Sequence, residues 1–455
     1  MKNSSADIVI CGAGIAGVSA AYFLAVRRGI KNILLVDEHP PLTLTSDKST
    51  ECYRNWWPGP GDAMVQLMNH SIDLMEEMAH ECGNLFHLNR RGYLYVSSDS
   101  DRVSTMEESA AEASALGAGE LRQHRLGSQS YVPHSAEGFT DSPLGADFIT
   151  EPALIQEHFP YLAKEVVAAL HVRRAGWLSA QQYGMWMLER ARDAGVEINP
   201  GKVSAIENEG GRISRISLQD ESEIQCSVFI NAAGPHLGEI GRMMGIDIPV
   251  FNELHLKTAF NDHLAVLDRD APLVIHADPQ RISWSDEERA ILAEDRETAW
   301  LLDELAFGAH TRPEGDPKAQ SILALWDLHN DQVEARFPIS PDPMISELAL
   351  RGLSSIIPGM TAYVDKMPRP FVDGGYYTKT EENRPLAGPL PIEGAYVIGA
   401  ASGYGIMAAA GLAELLSAHI AGDSMPNYAA SFSLARYQDA AYQTILENWG
   451  DSWQL

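Results

Sequence analysis

Apolar positions follow two rhythms along this chain. Short unbroken runs, Ile8-Val9-Ile10, Ile33-Leu34-Leu35-Val36, Ser227-Val228-Phe229-Ile230 and Ala395-Tyr396-Val397-Ile398, predict strands buried on both faces, as in a parallel sheet. Elsewhere apolar residues recur at helical spacing. From Asp62 to Cys82 they form a stripe, Met64, Leu67, Met68, Ile72, Met75 and Met78, and Ala180 to Ala194 reads as a second amphipathic helix. The methionine-rich stripe is read as core. Arg91-Gly92-Tyr93-Leu94-Tyr95-Val96 predicts a strand, and a helical segment from Arg102 to about Leu116 leads into a polar stretch ending near Asp147. Val203-Ser204-Ala205-Ile206 and Ile213-Ser214-Arg215-Ile216 predict hairpin strands across Gly210-Gly211. Later come Lys257-Thr258-Ala259-Phe260, a helix capped by Ser285 with Glu288 three residues on, and Ile322-Leu323-Ala324-Leu325-Trp326. The last strand gives way, after Gly405, to an alanine-rich helix. These excursions predict a mixed α/β fold in two interleaved domains, one from residues 1–88, 161–247 and 368–455, the other, richer in sheet, from 89–160 and 248–367.

The first strand ends in Gly12-Ala13-Gly14-Ile15-Ala16-Gly17, and Asp37 closes the second. In such a turn the first glycine permits the bend, the second lets backbone approach a pyrophosphate, the third lets helix and strand pack closely, and the helix N-terminus presents unpaired amides. Asp37, with Glu38 beside it, sits where an adenosine ribose hydroxyl would lie and would repel a 2′-phosphate. Strand, turn, helix, strand and acid in this order predict a Rossmann-type nucleotide-binding unit.

Charge narrows the partners. Lys+Arg 34 against Asp+Glu 62 gives a net charge of −28, which argues against nucleic acid or an anionic membrane surface. Cys11, Cys52, Cys82 and Cys226 are widely spaced with no CxxC pair, so neither a disulfide framework nor a metal site is expected. With no leader-like stretch before the first strand and no apolar run of spanning length, a soluble, cytoplasmic protein is expected.

A second glycine-rich junction, Gly399-Ala400-Ala401-Ser402-Gly403-Tyr404-Gly405, would grip the far end of the cofactor. That favours flavin over nicotinamide, because a helix N-terminus beside the isoalloxazine would stabilise the negative charge of its reduced form. On these tracts, with Phe229-Ile230-Asn231-Ala232-Ala233-Gly234 and with Gly176-Trp177-Leu178 ahead of the Ala194-Gly195-Val196 turn, the chain resembles the D-amino-acid-oxidase-like superfamily of flavoproteins over nearly its whole length. That superfamily includes glycine oxidase, sarcosine oxidases and dehydrogenases, and dimethylglycine dehydrogenases. The resemblance implies FAD, a discontinuous FAD-binding domain with a sheet-rich substrate domain, and oxidation of the C–N bond of a small amino acid or N-alkyl amino acid. Hydride would pass to flavin N5, and the imine would hydrolyse. The resemblance also implies that Val203 meets adenine through its backbone, that Ser49 and Thr50 lie near the phosphates or flavin, and that Gly234, Gly399, Gly403, Gly405 and Met407 belong to the cofactor site.

Arg312 is the first candidate for a substrate carboxylate, since a planar guanidinium binds two oxygens at once. His310, Tyr377 and Arg54 follow, with Trp56 and Trp57 near Arg54. Asp373-Gly374-Gly375-Tyr376-Tyr377-Thr378-Lys379-Thr380 resembles the tract that bears a flavin-linked cysteine in monomeric sarcosine oxidases, but Gly375 stands at that position. No histidine lies between Pro40 and Pro60 either, where related dehydrogenases attach theirs, so non-covalent FAD is expected. Gly405-Ile406-Met407 places no lysine near the flavin, which puts fast reaction with oxygen in doubt and leaves oxygen or another electron acceptor open. An oligomer or a heteromeric complex is also left open. The stretch from about Ala265 to Leu305 is longer than in compact oxidases and is read as a lid, a subunit interface or an elaboration. Two alternatives stand beside amine oxidation: an FAD-dependent 2-hydroxy-acid dehydrogenase with His310 as base, and a flavin-binding assembly factor or subunit of a larger complex.

Overall fold

The four apolar runs lie side by side in one sheet. In the computed structural model, which describes residues 3–57, 59–125, 131–316, 318–328, 330–364, 366–447 and 449, its strand order is Glu197–Pro200, Ile33–Asp37, Ile8–Cys11, Val228–Asn231, Ala395–Gly399 and Leu386–Pro389. The first five strands are parallel and the last is antiparallel. Alternation along a strand sends neighbouring side chains to opposite faces. Ile8 and Ile10 therefore enter a core shared with the helices Ile15–Tyr22, Ala63–Glu81, Ala180–Asp193 and Gly405–Ala421. Val9 and Cys11 enter another, beneath a four-stranded sheet of Asn3–Ser5, Glu223–Gln225, Arg212–Leu218 and Val203–Glu209. The methionine-rich stripe is buried along its whole length. It faces the alanine-rich helix at Gly411, where a Cβ would come within 3.0 Å of both Leu67 and Ser71.

A nine-stranded sheet makes the second body, in the order Phe371–Lys379, Phe251–Asn261, Ser321–Leu325, His310–Pro313, Leu273–His276, Tyr93–Ser97, Ala168–Val172, Ala146–Ile149 and Leu121–His124. Two of these strands come from the ranges 161–247 and 368–455. Phe371–Lys379 pairs residue for residue with Phe251 to Ala259, and Ala168–Val172 pairs with Tyr93–Ser97. The polar stretch that ends near Asp147 contains Leu121–His124, and Ala146–Ile149 follows at its end. Their polar side chains are satisfied by one another: Arg122 Nε and His124 Nε2 lie 2.7 and 2.8 Å from Asp147 Oδ1. Burial alone would raise the Asp147 carboxyl, but these partners bring it below the usual range.

The stretch 265–305 belongs to this sheet's own core. Leu273–His276 is one of its strands, and Leu267, Ile282, Trp284, Leu292, Leu301 and Leu305 share a buried cluster with the helix Ile345–Ser354. The expected cap is present, with Ser285 and Glu288 each accepting the other's backbone N–H. Among the described residues no helix is long and apolar enough to cross a membrane.

Candidate active site

The turn after Ile8–Cys11 is packed too closely for any residue but glycine. Gly12 has φ +110°, and a Cβ there would lie 2.4 Å from the Ala232 carbonyl oxygen; a Cβ on Gly17 would lie 1.8 Å from the Gly12 carbonyl oxygen. Strand end, helix start and the Asn231-Ala232-Ala233 turn are thereby brought together. Asp37 accepts the Ala13 N–H at 2.7 Å and the His39 N–H at 2.8 Å, so the acid also holds the turn. Ser46 Oγ accepts the Ile15 N–H at 2.9 Å. These groups border a cleft of about 870 Å³ that runs from Gly12, Gly14 and Asp37 past Gly234 to Gly399 and Gly405. Gly17 lies beneath it as a packing residue.

Several expected residues lie elsewhere. Glu38 is exposed and pairs with Lys202 at 2.9 Å. Val203, paired with Leu218 in the four-stranded sheet, and Ser49 line neither this cleft nor the pocket beside it. Thr45 and Ser46, on the short turn Thr45–Asp47, line the cleft instead. The run of hydroxyls Thr43, Thr45 and Ser46 just after Pro40-Pro41 was the available signal.

Ser402 is common to the cleft and an inner pocket of about 620 Å³, bordered by Gly403 and Met407 and roofed by the nine-stranded sheet. A Cβ on Gly403 would lie 2.4 Å from the Tyr377 ring, which explains that glycine. Arg54, on the strand Cys52–Arg54, borders the pocket while buried, its guanidinium 4.4 Å from the Trp57 ring centroid. Its Nε donates to the Trp56 carbonyl at 3.2 Å. Among the described residues no carboxylate pairs with it.

His310 also borders the pocket. Its Nδ1 lies 2.7 Å from the Gly308 carbonyl, which can only accept, so Nε2 carries the lone pair. Burial lowers its pKa, outweighing the attraction of Asp327, and the ring is neutral near pH 7. Tyr377 stacks on His255 at 3.8 Å, and burial pushes its phenol upward. Asp327, which no sequence pattern marked, completes the polar lining; it lies 2.8 Å from His255 Nδ1.

Arg312 does not face the pocket, contrary to its place as first candidate. It is 1% exposed. Nε and Nη2 donate to the Thr50 carbonyl at 3.1 and 2.7 Å, Nη1 donates to the Pro313 carbonyl at 2.9 Å, and Glu314 lies 2.7 Å away. A fork so fully engaged has no face left for a ligand. Its work is to tie the nine-stranded sheet to Thr50, whose own side borders the pocket.

A family model described as "FAD dependent oxidoreductase" (DAO) matches residues 7–419. The chain belongs to the DAO family. Dimethylglycine dehydrogenase of Rattus norvegicus, a mitochondrial protein, is 23% identical over 422 residues, 90% of this chain and 42% of that one. The chain thus spans less than half the length of that relative. Among solved structures, L-proline dehydrogenase from P. horikoshii superposes with a TM-score of 0.72 at 18% identity, covering 96% of this chain and 99% of the other. Glycine oxidase from Geobacillus kaustophilus gives 0.71 at 14% identity, covering 95% and 98%. At these identities the structures show the shared fold. The protein is a DAO-family FAD-dependent oxidoreductase, and its cofactor is FAD. The cleft fits that group: glycines line both ends, and the helices Ile15–Tyr22 and Gly405–Ala421 begin at its wall.

Proposed function

We propose that this DAO-family enzyme oxidises the C–N bond of a small amino acid or N-alkyl amino acid. The observation that carries the reading is Arg54, a buried cation on the inner pocket with no carboxylate partner among the described residues. A buried guanidinium is costly unless a counter-ion completes it. A substrate carboxylate would do so bidentately. Trp57 and Tyr93 flank the guanidinium, at 4.4 and 5.7 Å from their ring centroids, and keep it from swinging away. FAD, bound in the adjoining cleft, supplies the two-electron acceptor. The chain's own residues would hold the substrate carbon toward that cleft, over Gly403 and Met407. His310, neutral with Nε2 open, would accept the proton that leaves the substrate nitrogen.

The same histidine supports a second reading, oxidation of a 2-hydroxy acid, whose hydroxyl needs a base still more. Anaerobic mixing separates the two. Glycine, sarcosine, alanine or proline is expected to bleach the flavin bands, and glycolate or lactate to leave them. Bleaching by hydroxy acids alone, or by nothing in a broad panel, would overturn the amine reading. Arg54→Met is expected to raise the half-saturating concentration of the reactive amine by about a hundredfold with flavin content unchanged, because a charge-assisted double hydrogen bond is lost.

A further inference from the structure

Behind the inner pocket runs a file of alternating buried charges. Lys379 Nζ lies 3.1 Å from both oxygens of Glu253, Glu253 Oε2 lies 3.2 Å from His255 Nε2, and His255 Nδ1 lies 2.8 Å from Asp327 Oδ1. The first three side chains are at most 8% exposed, whereas Asp327 is 24% exposed and borders the pocket. The file therefore ends in a carboxylate on the wall of the pocket that Arg54 also borders. Two β-strands carry its first three members: Glu253 and His255 point to one face of Phe251–Asn261, and Lys379 closes Phe371–Lys379 beside them, while Asp327 follows the strand Ser321–Leu325. Tyr377 stacks on His255 and fixes the ring.

We propose that Asp327 receives the substrate nitrogen as an ammonium, so that the pocket binds a zwitterion between Arg54 and Asp327, with His255 as the positioning residue that orients the carboxylate. The proposal rests on the amine-oxidising reading of this pocket. It assigns the substrate class more narrowly: an α-amino acid with at least one N–H on nitrogen, in preference to its hydroxy or ether isostere. An ether oxygen donates nothing to a carboxylate, and a hydroxyl carries no charge to meet it.

The groups facing Asp327 agree. His255, His310 and Lys379 all draw its carboxyl below the usual range, overriding burial, and Arg54 shares the pocket. Burial alone would discharge His255, yet Asp327 and Glu253 hold its pKa up at about 9. Both partners are charged throughout the neutral range.

The test uses the FAD-loaded protein and whichever of glycine, sarcosine, alanine or proline bleaches it, each against an isostere: glycolate, methoxyacetate, lactate or tetrahydrofuran-2-carboxylate. In rapid anaerobic mixing, the amine concentration that half-saturates bleaching is expected to stay within about twofold from pH 6.5 to 8.5. A fall of about tenfold per pH unit would mean that only the free amine binds, and would overturn the proposal. Asp327→Asn is expected to weaken amine half-saturation by about thirtyfold while binding of the ether isostere, read from the flavin spectrum, changes less than threefold. Equal changes in both, or in neither, overturn it. If that variant fails to retain flavin, the pH series on the unaltered protein decides alone. His255→Gln is expected to move the acid limb of amine half-saturation upward by about one pH unit, as Asp327 loses its cation; an unmoved limb removes His255 from the role. A flavin that no amine bleaches defeats the enclosing reading and this one with it, whereas bleaching with the wrong pH series defeats this one alone.

Discussion

Arg54 and Arg312 are both buried arginines on strands, and only their partners tell them apart. Arg312 precedes a proline and a glutamate, and in the fold its guanidinium is engaged by Thr50, Pro313, Glu314 and Glu51. Arg54 precedes two tryptophans, of which Trp57 offers a ring face and Trp56 a backbone carbonyl. Guanidinium donors can be assigned only once the chain has brought Thr50 against the strand His310–Pro313, about 260 residues away in sequence, so the order of the two candidates was not legible beforehand. Asp327 was invisible for the same reason: its meaning lies in His255. His255 also ties stability to pH. With its folded pKa raised from 6.5 to about 9, its contribution is fully present below about pH 6.5 and fades as pH rises through 9. Melting temperatures of the FAD-loaded protein and of His255→Gln should therefore differ most near pH 6.5 and converge toward pH 10. A constant difference across that range would contradict the raised pKa.

At the scale of elements, the local patterns that proved readable were those with a physical reason to be local. A glycine turn between strand and helix must contain its own clearances, and the Gly12 to Gly17 turn does. Gly17→Ala is expected to abolish flavin retention, since its Cβ would fall 1.8 Å from a carbonyl oxygen that packing holds in place. Flavin absorbance per protein after gel filtration reads the loss. The strands Leu121–His124 and Ala146–Ile149 escaped notice because their burial depends on a polar pair made across the sheet. Leu273–His276 escaped because it sits inside a stretch whose length suggested an appendage.

For the molecule as a whole, the nucleotide half was legible from motifs and the substrate half mainly from resemblance. The expectation of non-covalent FAD can be tried directly. Gly375 lies against Thr45, and a Cβ there would meet Thr45 Cα and Cγ2 at 3.2 Å and Lys48 Cβ at 3.3 Å, so the position has little room for a longer side chain. Acid precipitation should release all yellow colour into the supernatant; colour kept in the pellet would show a covalent bond.

The order of strands in the six-stranded sheet carries a consequence for synthesis. Ala395–Gly399 pairs with Val228–Asn231, so one side of that strand waits as a bare edge while the ribosome adds more than 160 residues. Until Gly405 emerges, the cleft lacks its second end. The growing chain therefore presents the Gly12 to Gly17 turn and Asp37 well before the strand and helix that close the cleft have been made.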